Sequence, residues 1–235
     1  ENAGVMNIAF HSMGNEKWMA GITVLEAFFR ALRSRDNAPR ILLTAWDNPL
    51  NGVAGAWAGL VDEIIPLPSQ PEPDFSMTDH LRARGVDVFF SLPIKTALQV
   101  EMPRLVWLYD FQHVRHPELF SAEEVERRQL LFRENAQSAR RVVVTAETVC
   151  NDFAAFAPDL AHKAVVLPIV PWLPPAVFDA ARPRWIPSGV PSRFFFLPNH
   201  FLPHKNHLVV LQALRILKQK GLEAAVVCTG HHEDG

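Results

Sequence analysis

The chain has 235 residues, 49% of them hydrophobic, with 23 lysines and arginines against 25 aspartates and glutamates and a formal net charge of −2. A near-balanced charge without basic blocks excludes a nucleic-acid-binding surface, so any phosphate recognition has to come from local geometry. The length suits one large domain, or one domain with part of another. Cys150 and Cys228 are far apart and lack metal-type spacing, which predicts free thiols in a reducing compartment. No apolar run reaches the roughly 18–20 residues that span a bilayer. The first residues also lack the basic start and apolar stretch of a signal peptide. A cytoplasmic protein is expected, with peripheral association on the inner membrane face left open.

Short apolar runs alternate with amphipathic stretches along the chain. Residues 5–10 read as a strand. A helix over about 19–34 follows, with Ile22, Leu25, Phe28, Phe29 and Leu32 at helical spacing. Strands are predicted at 40–45 and, cut short by prolines, at 63–67. A helix at 77–84 ends at Gly85, a residue suited to a C-cap. Further strands fall at 86–91 and 104–109. A long helix over 122–139 opens with Ser121 and Glu124, the spacing of a capping box. The β-branched run at 141–145 has the composition of a parallel strand buried on both faces. A helix at about 147–156 and a strand at 163–167 complete the series. The alternation predicts an α/β, Rossmann-like doubly wound parallel sheet, with ligands at the carboxyl ends of its strands.

Residues 168–192 break the rhythm. Pro168, Pro171, Pro174, Pro175, Pro183, Pro187 and Pro191 make this stretch a stiff connector. Domains are assigned to 1–180, with the connector starting near 168, and to 181–235. The second repeats the pattern: strand at 193–197, helix at 204–220, strand at 224–229. Two strands and a helix do not cover both faces of a parallel sheet, so the second α/β domain is expected to be incomplete. Either the chain continues or this piece docks on something else.

Three strand-to-helix loops carry candidate chemistry. In 198–207 a helix N-terminus offers unpaired N–H groups and positive potential to a phosphate, and Lys205 in the first turn opposes the helix dipole unless an anion is present. The competing reading is a solvated lysine among turn histidines such as His204. In 110–118, Asp110 suits sugar hydroxyls, His113 could hold or polarise a reacting hydroxyl, and Arg115 and His116 lie close in sequence. The competing reading is loop histidines and a turn-capping aspartate. His113 and His116 are too few to propose a metal. The first βα loop, 11–21, has Gly14 and Gly21 at positions that permit close backbone approach. Glu147 follows the strand at 141–145 and either faces the cleft or belongs to a helix start. Trp46, Trp57, Trp172 and Trp185 are either a sugar-stacking platform or, more commonly, packing.

Taken together, Trp107–His113 with Pro117–Phe120, Arg141–Glu147, and above all Phe196–His207 followed by Leu211–Leu214 and Val227–Gly230 resemble the family 4 glycosyltransferases of the GT-B fold. The resemblance implies two Rossmann-like domains, the N-terminal one binding the acceptor and the C-terminal one a nucleotide-diphosphate sugar. It implies hexosyl transfer with retention of configuration to a glycan- or lipid-linked acceptor, as in polysaccharide biosynthesis. Neither a metal nor a cofactor is implied beyond the nucleotide-sugar co-substrate. Lys205 would contact the donor diphosphate, with Gly21, Asn199 and His204 on the donor side. His113 and Asp110 would be the catalytic pair beside the reacting sugar, with Gly14, Arg115 and Glu147 on the acceptor side.

The chain departs from the family pattern in three respects. Asn199 stands where many members have arginine, and Tyr109 where many have histidine. The later acidic motif that grips the donor sugar and ribose is not present. Transferase activity is therefore not expected of this polypeptide in isolation. The alternatives are a non-catalytic acceptor- or partner-binding module and a sugar-nucleotide epimerase of the same fold.

Overall fold

A computed structural model describes residues 5–13, 19–46, 57, 59–68, 74–95, 100–179 and 188–230. The chain forms two compact units, Glu1–Trp172 and Leu173–Gly235.

The first unit is built on a seven-stranded sheet: β1 (Asn7–His11), β2 (Arg40–Trp46), β3 (Glu63–Leu67), β4 (Val88–Ser91), β5 (Arg104–Trp107), β6 (Arg141–Val144) and β7 (Ala164–Val166). The order is β3-β2-β1-β4-β5-β6-β7, and every pairing is parallel. From β1 the chain winds to one side through β2 and β3, then crosses back to lay β4 on the other flank of β1. This reversal opens a crevice at the carboxyl ends of β1 and β4, where doubly wound sheets bind ligands.

The helices are α1 (Met19–Arg33), α2 (Met77–Arg82), α3 (Gln112–Arg115), α4 (Ala122–Ser138) and α5 (Glu147–Phe156). The two-residue period of the strands sends alternate side chains to opposite layers. Phe10, Ile41, Leu43, Phe90, Trp107 and Val143 pack with Ile22, Leu25 and Phe29 of α1. The intervening Ala9, Leu42 and Phe89 pack with Met77 and Leu81 of α2, and Val106, Val142 and Val144 pack with Phe132 of α4 and Phe153 of α5. The sheet is covered on both faces, as the unbroken β-branched run of β6 predicts.

Local signals account for several boundaries. Ser76 Oγ accepts from Asp79 N at 3.1 Å and starts α2. Gly85, with φ of 68°, turns the chain from α2 into β4. Ser121 Oγ accepts from Glu124 N at 3.2 Å and caps α4. The return half of the expected capping box is replaced: the Glu124 carboxylate binds Arg127 and Arg128 one turn on. Charge-assisted bonds to two guanidinium groups outweigh one neutral backbone N–H.

The C-terminal end of α4 is held by two cations. Arg104, 1% exposed, donates to Asn135 Oδ1 at 2.8 Å, Asn135 O at 3.0 Å and Ser138 Oγ at 2.5 Å. Lys163 Nζ donates to the carbonyls of Ala136, Gln137 and Ala139. Positive charge at a helix C-terminus complements both the macrodipole and the unpaired carbonyls.

The second unit contains the parallel pair β8 (Phe195–Pro198) and β9 (Val226–Thr229) joined by α6 (His207–Gln219). Phe195, Phe196, Leu208 and Leu211 are exposed. The expected helix start at 204 is corrected to His207. Pro203–Lys205 form a 3-10 turn, and Asn206 takes the left-handed conformation at φ 49°, ψ 49°. A left-handed residue ends one helical segment before the next can begin. Lys205 therefore lies in the turn that leads into α6 rather than in its first turn.

Candidate functional site

At the carboxyl end of β1, His11 is 5% exposed and its Nδ1 lies 3.0 Å from Thr44 Oγ1 on β2. Thr44 Oγ1 also reaches Phe10 O, at 3.3 Å. Burial lowers the pKa of His11 to about 4, so the ring is neutral at physiological pH. Sequence reading did not single out His11. The available signal was a polar residue ending an apolar strand next to the crevice. Beyond it, Gly21 is buried near the start of α1, whereas Gly14 lies outside the described residues.

At the end of β5 the chain leaves the sheet as Leu108 donates from N to Val143 O at 2.9 Å. Asp110 Oδ1 accepts from Gln112 N at 3.2 Å, so its carboxylate shapes the turn that starts α3. His113, within α3, is fully buried. Its ring lies 4.8 Å from Phe132, 6.1 Å from Phe111 and 6.3 Å from Phe156, centroid to centroid. Among the described residues neither ring nitrogen has a hydrogen-bond partner. Burial first, and the positive charge of Arg128 second, lower its pKa to about 4. A neutral imidazole with two orphaned nitrogens is a costly core residue, which calls for an explanation other than packing.

Arg115 pairs with Asp152 of α5, fastening α3 to α5, and this pairing raises its pKa further. Glu147 is exposed at the first position of α5, where the helix N-terminus favours a carboxylate. Asp110, His113, Arg115 and Glu147 thus lie at the carboxyl ends of the adjacent strands β5 and β6. Trp57 belongs to the core beside α1, with Nε1 donating to Ile22 O at 3.4 Å. Trp172 lies under the Arg30 guanidinium at 3.5 Å. These two rings are packing residues rather than a stacking platform, while Trp185 and the Trp46 side chain lie outside the described residues.

In the second unit, Asn199 follows β8 and donates from N to Leu197 O at 3.1 Å. His204 and Lys205 are exposed in the turn before α6, and among the described residues no carboxylate pairs with Lys205. Among the described residues no side chain caps the α6 N-terminus at Asn206. This end of β8 meets Gly230, after β9, so closely that a Cβ at 230 would run into the carbonyl of Asn199. A larger cavity of about 630 Å³, lined by Arg193, Leu214, Arg215 and Lys218, opens at the opposite, amino ends of these strands. It is remote from the helix N-terminus and from the phosphate chemistry available there.

No group of three or more candidate metal ligands occurs among the described residues. No helix among them is long and apolar enough to cross a membrane.

No family model matches the chain, and no curated protein does. Solved structures do match. The Anabaena protein HepE, in complex with UDP and glucose, aligns with a TM-score of 0.52 at 16% identity, over 96% of this chain and 69% of that one. A glycosyltransferase from Rickettsia africae aligns with a TM-score of 0.56 at 12% identity, over 97% and 61%. The UDP-GlcNAc 2-epimerase of Neisseria meningitidis, bound to UDP-GlcNAc, aligns with a TM-score of 0.50 at 10% identity, over 95% and 66%. At these identities the likeness shows the fold: the chain has the Rossmann-like α/β architecture of GT-B glycosyltransferases. It spans between 61% and 69% of the length of these three structures.

Proposed function

We propose that the chain is the acceptor-side domain and the start of the donor domain of a family 4-type, retaining glycosyltransferase. The donor is a nucleotide-diphosphate sugar and the acceptor is glycan- or lipid-linked, reached from the cytoplasmic side of the membrane. The observation that carries this reading is the turn into α6. Lys205 has no carboxylate partner among the described residues, and it stands before a helix N-terminus that no side chain caps, at the carboxyl end of a parallel strand. Such an end binds a diphosphate through backbone N–H groups and the helix dipole.

As the glycosidic bond to the diphosphate breaks, negative charge grows on the leaving oxygen. A lysine and oriented N–H groups stabilise that charge without a metal. Asn199 and His204 line the same loop, and Gly230 keeps it close-packed. In the first unit, Asp110 and His113 flank the acceptor crevice. Asp110 accepts from sugar hydroxyls, and His113, a neutral imidazole in the helix that Asp110 starts, is its proposed catalytic partner. Gly21, Arg115 and Glu147 belong to the strand-end segments of this unit and, with Gly14, are the proposed donor-side (Gly21) and acceptor-side residues.

Isothermal titration of the protein with UDP-glucose, UDP-GlcNAc and GDP-mannose tests the donor assignment. A hydrogen bond to a charged group is worth about 1.5–3 kcal/mol, so Lys205→Ala should weaken the preferred donor by about 10-fold to 100-fold. EDTA should leave binding unchanged. Equal affinity in the variant removes Lys205 from the donor site. A second reading, a sugar-nucleotide 2-epimerase, draws on the structural likeness to the Neisseria enzyme. It predicts a C2-epimerised nucleotide sugar, detectable by proton NMR, without any acceptor.

A further inference from the structure

The cavity of about 630 Å³ in the second unit is lined by α6 and by the segments that lead into β8 and β9. α6 ends at Gly221, which is left-handed at φ 70°. Leu222 N donates to Leu217 O at 3.0 Å, and Gly221 N to Lys218 O at 3.1 Å. This paired cap reverses the chain and carries Leu222 and Glu223 to the cavity wall. Phe195 N donates to Ala225 O at 2.9 Å, which ties the two strand starts together. Leu214 and Leu222 give the lining apolar surface, while Arg193, Arg215 and Lys218 add three cations and Glu223 one carboxylate. None of these four charged side chains makes a hydrogen bond or ion pair among the described residues.

A surface of opposite character lies on α4 of the first unit. Glu123, Glu126, Leu130 and Glu134 recur at i, i+3, i+7 and i+11, so they form one stripe about 16 Å long. Leu130 is 60% exposed at its centre. The remaining acid of the helix, Glu124, is taken by Arg127 and Arg128, and Arg133 is taken by Asp159. Glu123, Glu126 and Glu134 have no such partner among the described residues. An exposed leucine among unpaired carboxylates is the counterpart of an apolar lining among unpaired cations. Interfaces combine an apolar centre with a rim of complementary charge in this way.

We propose that the α4 stripe of one copy of this chain seats in the α6 cavity of a second copy. Leu130 packs against Leu214 and Leu222, and the carboxylates of Glu123, Glu126 and Glu134 face Arg193, Arg215 and Lys218. A free phosphate would use the cations and leave the apolar lining in water, whereas an acidic helix centred on a leucine uses both. The formal net charge of −2 leaves little long-range repulsion between copies. Each copy carries one surface of each kind, so reciprocal use closes a dimer and one-way use extends an oligomer. The same two surfaces meet in either case. The inference is independent of the transferase reading.

Sedimentation velocity of the whole chain, from about 1 to 100 μM in about 0.05 M salt, tests the proposal. A concentration-dependent oligomer is expected, with a Kd on the order of 10 μM for a contact of one helix face with one cavity. Association should weaken at least about tenfold in about 0.5 M salt, where exposed charges are screened. Arg215→Glu with Lys218→Glu reverses the cavity, and Glu123→Lys with Glu126→Lys reverses the stripe. Each double variant alone should be monomeric over this range. Mixed in equal amounts, they should associate again, because the reversed cavity of one now matches the reversed stripe of the other. That recovery also shows that both variants are folded.

The proposal is overturned by a monomer at every concentration, or by two variants that fail to recombine. It is equally overturned by association that both double variants retain. In that case other exposed apolar residues, such as Leu208 and Leu211 of α6, join the copies instead.

Discussion

Replacing His113 by leucine removes two orphaned polar atoms from a fully buried site at nearly constant volume. The ring sits among Phe111, Phe132 and Phe156, with Nδ1 and Nε2 unpartnered. An unsatisfied buried polar group costs about 1–3 kcal/mol, and the neutral imidazole has one donor and one acceptor in that condition. Allowing for imperfect repacking, His113→Leu should stabilise the first unit by about 1–3 kcal/mol. For a chain of this size that raises Tm by roughly 2–10 °C.

The pH dependence gives an independent reading. The folded-state pKa falls from 6.5 to about 4, so between those values the unfolded state binds more protons. Stability is then complete above about pH 6.5 and is lost as pH falls towards 4, by up to about 3 kcal/mol, since each pKa unit is worth about 1.4 kcal/mol. In His113→Leu that part of the loss should vanish, leaving the share due to His11, which shifts in the same direction. Urea denaturation at pH 7.5 and 5.0, followed by tryptophan fluorescence, measures both effects. A less stable variant, or an unchanged pH dependence, would refute the claim that His113 is an unpaired, neutral core histidine. If the proposed catalytic role holds, the stabilised variant should lose transfer activity, because the residue is retained at a cost in stability for what it does.

Asn135 is fully buried and supplies two of the acceptors that hold the Arg104 guanidinium. Asn135→Ala should destabilise by about 2–4 kcal/mol, because a buried cation loses a partner. Pairing it with Arg104→Met should cost less than the two single changes summed, and additive losses in a urea double-mutant cycle would refute the coupling. Gly230→Ala forces a Cβ into the backbone at Asn199 and His200. It should weaken nucleotide-sugar binding measured by calorimetry; undiminished donor affinity would show that the loop after β8 takes no part in binding.

Much of the fold was legible in the sequence because it depends on local chemistry. The alternation of β-branched runs with stretches such as Ile22, Leu25 and Phe29 requires strands and helices that cover each other, and Ser76, Gly85 and Ser121 mark their ends by hydrogen bonds within a few residues. The turn between β8 and α6 was legible for the same reason, since Pro203 acts through its own neighbourhood. What depends on distant partners was not. The sequence carries no mark that β1 sits between β2 and β4, yet that placement creates the crevice and buries His11 against Thr44. Asp110, His113 and Arg115 read as polar members of one strand-end loop with separate expected roles, and packing set their surroundings apart. Asp110 shapes its own turn, Arg115 is bound by Asp152 of α5, and His113 is sealed by rings from α4 and α5. Glu124 read as half of a capping box until two arginines one turn away offered it a stronger partner. Residue type and spacing determine periodicity and caps, whereas burial and ionic pairing are settled by elements that meet only after the chain has folded.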